Sequence, residues 1–262
     1  MFKHTILVAA VAGLVLALAA ASANAGIVYQ DKFDNDGIAT NTGTGGGLAR
    51  YARQGDTWVD NGQLDGNSTG GNDRGNVYSL NNFNLSGGFK LEVTYAISDI
   101  SNINANRVNI ALIDKNSIPA VQTSTTYVTM FLGSNLDKYG IGLNMTTDVG
   151  FQGLNFANDA GTGTVTLLSN AQTISTGTHT FVLEMDTASN WSYSIDGAPA
   201  TTGTIAGGFD LTRDYQFFAF VQDYRNNRIK IDSVTLTVIP EPATLALLGL
   251  GGLGLIHGRK RR

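Results

Sequence analysis

Apolar and polar residues alternate with period two in several stretches of the chain, and this alternation predicts strands. In FKLEVTYAIS, Phe89, Leu91, Val93, Tyr95 and Ile97 alternate with Lys90, Glu92, Thr94 and Ala96, as in a strand with one buried face. HTFVLEMD repeats the pattern with Phe181, Leu183 and Met185, and NWSYSIDG follows with Trp191, Tyr193 and Ile195. The short Thr187-Ala188-Ser189 connection predicts a hairpin between these two, and Asp196-Gly197 predicts the turn of the next one. YQFFAFVQ (215–222) is apolar on both faces, as a strand central to its sheet would be. In RIKIDSVTLTV the parity changes: Ile229 and Ile231 fall on one face, Val234, Leu236 and Val238 on the other. A bulge near Asp232-Ser233 would restore a single apolar face.

Residues 34–74 are rich in Gly, Asn, Asp and Thr, with Tyr51, Trp58 and Leu64 as apolar anchors, and predict long loops joined by short strands. The interior has no convincing helical periodicity, no internal repeat and no linker dividing it. About a dozen strands in one body of some 210 residues predict an all-β, two-sheet antiparallel sandwich.

The two ends break the pattern. Residues 1–25, MFKHTILVAAVAGLVLALAAASANA, combine Lys3, an apolar stretch from Ile6 to Ala21 and a small-x-small site at Ala23-Asn24-Ala25. This is the pattern of a secretory signal, with signal peptidase leaving Gly26 as the mature start. At the other end, Pro240-Glu241-Pro242 precedes an uncharged run, Ala243–Ile256, and then Arg259, Lys260, Arg261 and Arg262. As a helix the run covers ~21 Å, short of the ~30 Å hydrocarbon core, and four glycines weaken it further. It predicts a transient membrane insertion with the basic cluster left in the cytoplasm and the body exported. The organisation is therefore a signal peptide over 1–25, a β-sandwich over 26–238 and a sorting segment over 239–262.

That C-terminal order of motif, apolar Gly-rich segment and basic cluster resembles the PEP-CTERM sorting signal. The resemblance implies processing near Pro240-Glu241-Pro242 by an exosortase, a membrane cysteine protease of Gram-negative bacteria that make extracellular polysaccharide. It also implies delivery to the envelope surface or the biofilm matrix. In the body, YQDKF, FVLEMDTASNWSYSIDG and IKIDSVTLTV are similar to the concanavalin A-like jelly roll of lectins, laminin G-like domains and glycanases. In that family the first and last strands often pair.

Composition narrows the chemistry. Charged residues make up 15% of the 262, against a typical value of about 25%. Lys3, residues 259–262 and Glu241 lie in the terminal segments, so of 17 basic and 21 acidic residues the body keeps 12 and 20. A body this acidic excludes phosphate-neutralising nucleic-acid binding. The absence of cysteine excludes disulfides and thiolate chemistry, and His179 is the only histidine outside the terminal segments.

The resemblance to glycoside hydrolase family 16 rests on VLEMDTAS. Glu184 and Asp186 match the first two carboxylates of that family's strand motif, whereas Ala188 and Ser189 occupy the two spacings open to the third. A retaining mechanism needs a carboxylate pair with one member kept protonated. The motif is thus incomplete, and Glu184 also reads as an ordinary outward strand residue. His179, opening its strand after STGT, reads as a solvent-facing turn residue, and no Gly-x-Ser-x-Gly elbow accompanies it.

Asp31, Asp34 and Asp36 crowd the end of the first strand, and Asp232 lies on the last. If those strands pair, hard oxygen ligands could converge on a structural Ca²⁺; alternatively, Asp34–Gly37 simply forms a turn. Trp58, among polar neighbours, and Tyr224, in the polar loop 223–228, are candidates for stacking on sugar, with Trp58 equally placed to anchor the core. Trp191 alternates with Tyr193 and Ile195 and belongs to the core. These readings favour a surface or matrix protein that binds exopolysaccharide without catalysis. A structural or adhesive protein-binding component is the alternative, and a glycan-cleaving enzyme comes after it.

Overall fold

The protein was analysed as a computed structural model, which describes residues 26–33, 48–52, 59–60, 63–65, 73–98, 107–117, 138–146, 151–158, 164–169, 172–173, 175–223 and 229–239. Among these residues the first strands are β1 (Gly26–Asp31), β2 (Leu48–Ala52), β3 (Val59–Asp60), β4 (Gln63–Asp65), β5 (Asp73–Ser79) and β6 (Phe83–Asn84). Then come β7 (Phe89–Ile97), β8 (Arg107–Asp114), a 3₁₀ turn at Lys115–Ser117, β9 (Gly140–Thr146), β10 (Phe151–Asn158), β11 (Thr164–Leu167) and β12 (Gln172–Thr173). The remainder are β13 (Gly177–Met185), β14 (Asn190–Ile195), β15 (Thr201–Thr204), β16 (Asp214–Asp223) and β17 (Ile229–Val238).

They form two antiparallel sheets in a jelly-roll sandwich. Sheet I runs β15-β14-β13-β7-β17-β4-β3, with β1 also paired to β17. Sheet II runs β11-β10-β9-β8-β16-β5-β2, with β12 on β10 and β6 on β16. The expected pairing of first and last strands is present, with Gly26 opposite Val238 and Asp31 opposite Val234. There are more strands than the alternation predicts because several have only two to four residues, too few to display a period.

Where the pattern is long, it locates the elements. β7 alternates between buried and half-buried along its whole length, and Phe89, Leu91, Val93, Tyr95 and Ile97 all point into the core. β13 and β14 form the predicted hairpin. Asp196 and Gly197 turn the chain with φ of 55° and 67°, closed by the Ala198 N–H donating to the Ile195 carbonyl at 3.0 Å. β17 carries the predicted bulge, its register against β7 shifting between Ile231 and Ser233. That shift lets Ile231, Val234 and Leu236 all be buried.

The core lies between the sheets. Tyr29 of β1 stacks on Phe217 of β16 with centroids 5.8 Å apart. Phe209, in the loop before β16, packs on Tyr139, Phe156 and Tyr215. A buried hydrogen bond crosses between the sheets, where Tyr95 Oη donates to Gln152 Oε1 at 2.8 Å. β16 is central in sheet II, between β8 and β5, and Phe217 and Phe218 on its opposite faces are both fully buried.

Candidate functional site

The accessible polar site is on the outer face of sheet I, at its β13–β14–β15 edge. Because Phe181, Leu183 and Met185 point inward, alternation turns Glu184 outward, and the register places it opposite Ser192. Thr202 and Thr204 of β15 lie opposite Ser192 and Asn190. With Asp186 and Ile239, Glu184, Asn190, Thr202 and Thr204 line an open cleft of about 490 Å³.

The hairpin turn organises this cleft. Asp186 Oδ1 accepts the N–H groups of Ala188 and Asn190 at 2.8 and 2.9 Å, and its Oδ2 accepts Asn190 Nδ2 at 2.8 Å. Thr204 Oγ1 donates onward to Asn190 Oδ1 at 2.7 Å. Burial is the largest single influence on Asp186 and raises its pKa, but the hydrogen bonds from Asn190 and Ala188 together outweigh it and hold the carboxyl below its ordinary range. Asp186 is thus an ionised turn clasp. Ser189, at one spacing of the missing third carboxylate, is buried and its Oγ accepts the Phe209 N–H at 2.8 Å.

The candidate cation ligands divide. Asp31 is fully buried beside Tyr29, and its Oδ1 accepts the Phe33 N–H at 2.8 Å. Burial first, and the Asp31 charge second, push the Tyr29 phenol up and keep it protonated. Asp232 lies in the β17 bulge, where it accepts Gln63 Nε2. Among the described residues no three His, Asp or Glu side chains converge on a common point, so Asp31 and Asp232 do not by themselves fit a calcium cage. Asp34 and Asp36 lie outside the described residues. So do Trp58, Tyr224, Ala23, Ala25, Pro240, Glu241, Pro242, Arg259, Lys260, Arg261, Arg262 and the predicted sorting helix. Gly26 is exposed at the start of β1. Trp191 is 5% exposed and packs on Tyr193, as a core residue.

His179 is not the solvent-facing residue the STGT context suggests; it is 7% exposed. It shares the parity of Phe181 and Leu183, and that parity prevails over the polar flank. Its Nδ1 lies 2.6 Å from Asp196 Oδ2, and its Nε2 lies 3.0 Å from the Ser175 carbonyl and 3.5 Å from Ser175 Oγ. Despite the Ser-His-Asp composition, Nε2 lies closer to the Ser175 carbonyl than to Ser175 Oγ, which at 3.5 Å is not held as a nucleophile would be. The set is a clasp joining β13 to the β14–β15 turn, with the Thr180 N–H donating to Asp196 Oδ1 at 2.8 Å.

Burial acts to raise the Asp196 pKa, but hydrogen bonds from His179 and the Thr180 N–H, with the His179 charge, bring it below the ordinary 3.8. A depressed carboxyl contributes stability that is present above its unfolded pKa and lost as pH falls through the folded value. Urea midpoints measured from about pH 5 down to about pH 2 should therefore fall with acid, and Asp196→Asn should make that fall shallower. Equal slopes in the two proteins would show that the clasp does not bind the anion.

Sequence reasoning missed a buried polar pair on the side of sheet II away from the core. Asn109 Nδ2 donates to Asn144 Oδ1 at 2.8 Å across β8 and β9, next to the Ala111–Gly142 pair. Asn109 and Ala111 are fully buried, so the pair is not open to solvent as the cleft is. The outward parity of Asn109 and Asn144 was the available signal.

A protein-family comparison matches residues 238–262 to the PEP-CTERM protein-sorting motif. A comparison with curated proteins finds no match to the chain. Among solved structures, the body is similar to the Emp47p carbohydrate recognition domain, at 12% identity and TM-score 0.58 over 83% of this chain and 97% of that one. It is also similar to the VIP36 exoplasmic/lumenal domain in its Ca²⁺/Man3GlcNAc-bound form, at 8% identity and TM-score 0.53, covering 78% and 88%. A third similarity, at 12% identity and TM-score 0.54 over 82% and 100%, is to a structure from work on endo-acting O-glycanases of the human gut microbiota. At these identities the likeness establishes the fold. Residues 238–262 therefore carry a PEP-CTERM sorting motif, which implies export and surface targeting in Gram-negative bacteria, and the body ahead of it has the jelly-roll fold of the solved domains it resembles.

Proposed function

We propose that the exported body is a non-catalytic carbohydrate-binding module of the cell surface or polysaccharide matrix, and that it takes glycan at the outer cleft of sheet I. The carrying observation is the pre-set hydrogen-bonding edge: Asp186, Asn190 and Thr204 fix one another, leaving Glu184, Ser192 and Thr202 to meet sugar hydroxyls. The lectin-like fold supports this reading. Catalysis is disfavoured because Asp186 is committed to the turn and kept ionised, while hydrolysis needs a second carboxyl that stays protonated.

The test is retention of the processed protein on a polysaccharide panel that includes the host's own exopolysaccharide, with calcium and with a chelator. Selective retention is expected, with no release of reducing ends. Glu184→Gln with Thr202→Ala should weaken it about tenfold, as two lost hydrogen bonds would. Retention unchanged by the double variant would move the site off this cleft. Failure on every glycan, with binding to cells that survives polysaccharide removal, would favour an adhesive protein-binding role. Chelator sensitivity would support a calcium site that includes Asp34 and Asp36.

A further inference from the structure

The sorting motif does not begin beyond the fold. Its matched residues start at Val238, the last residue of β17 and the register partner of both Gly26 and Phe89. The next residue, Ile239, donates its N–H to the Gly88 carbonyl at 2.9 Å, yet its side chain is 37% exposed. Pro240 follows directly, so no spacer separates the folded body from Pro240-Glu241-Pro242.

Ile239 also forms a wall of the outer cleft. Among the described residues, the charged side chains lining that cleft are Glu184 and Asp186, with no Lys, Arg or His. Lys90, opposite Glu184 across β7 and β13, has its Nζ 3.3 Å from Glu92 Oε2. The root of the tail therefore adjoins a cleft whose described lining carries two carboxylates, with the cross-strand Lys90 paired to Glu92.

We propose that this cleft is a docking face for the membrane enzyme that processes the tail, engaged by a basic surface of that enzyme while its active site takes the Pro-Glu-Pro segment. An enzyme acting at Pro240-Glu241-Pro242 works beside the sheet end where Val238 and Ile239 are held. The carboxylates there match a cationic partner and disfavour an acidic one. The inference rests on the sorting-motif match and on the position of Ile239, not on the glycan reading.

The experiment follows tail loss by intact mass over time, in the full chain produced with its own processing enzyme. Glu184→Lys and, separately, Thr202→Lys reverse or add charge at outward strand positions. Each is expected to slow processing about fivefold or more. Thermal midpoints of the purified variants within a few degrees of the parent would show that folding is intact. A ten-residue Gly-Ser insertion between Ile239 and Pro240 frees the motif from the sheet, and in that background Glu184→Lys should slow processing less than twofold. Wild-type processing rates in both lysine variants would overturn the proposal, as would equal slowing with and without the insertion. Polysaccharide retention is read on protein already processed, so failure of either reading leaves the other's result standing.

Discussion

Phe217→Ala is expected to destabilise the body by about 4 kcal/mol, within the range seen when a buried aromatic is truncated. Phe217 lies midway along β16, is fully buried and pairs with Leu112 of β8. Its ring stacks on Tyr29, which belongs to the edge strand β1 on the opposite sheet. Truncation loses the transfer free energy of the ring and also leaves a cavity facing Tyr29, whose backbone is held to β17 and cannot collapse inward. Domains of this kind have about 5–15 kcal/mol in total, so the variant should lose from about a quarter to most of it. Urea titration should show a much lower midpoint with the slope unchanged. A loss below about 1 kcal/mol would mean that β1 is not docked on sheet II through this pair.

Gly142→Ala should cost about 3 kcal/mol or more, for a different reason. β9 is flanked by β8 and β10, and Gly142 pairs with Ala111 on one side and Asn155 on the other. A Cβ on Gly142 would lie 2.1 Å from the Ile110 carbonyl oxygen and 2.5 Å from the Ala111 Cα. Both are backbone atoms, so no rotamer change gives relief, and the β8–β9 ladder itself must open. Gly26→Ala is the matched control. Nothing lies within 4 Å of a Cβ there, and its stability should stay within about 0.5 kcal/mol of the parent. Near-equal melting of the two variants would contradict the β8–β9 register.

The long strands were legible because burial on one face imprints period two on the sequence. β7, β13 and β14 follow it, and the β17 bulge appears as a break in parity at Asp232-Ser233. The sequence was silent on which strands become neighbours. The outward direction of Glu184 could be read from Leu183 and Met185, but the cleft exists only because β15 and Ile239 come beside it. Asp186 shows the same limit: its candidacy as a catalytic carboxylate came from spacing, and its commitment to Ala188 and Asn190 depends on the fold of the turn. His179 was misjudged for a simpler reason. It shares parity with its core neighbour Phe181, and its polar character obscured that signal.

Strand order carries a consequence for delivery. β16 is an interior strand of sheet II, and β17 lies between β7 and the β1 and β4 edge in sheet I. The two strands that complete both sheets are thus the last two of the body. A chain crossing a membrane amino end first leaves β5 and β8 without β16 until residues near 223 have emerged, and β7 without β17 until residues near 238 have. Neither half of the sandwich can close early, and the waiting edges are templates for pairing with other copies. On export, completion of the fold is therefore expected to come late, and half-delivered chains would expose edges that the finished sandwich pairs.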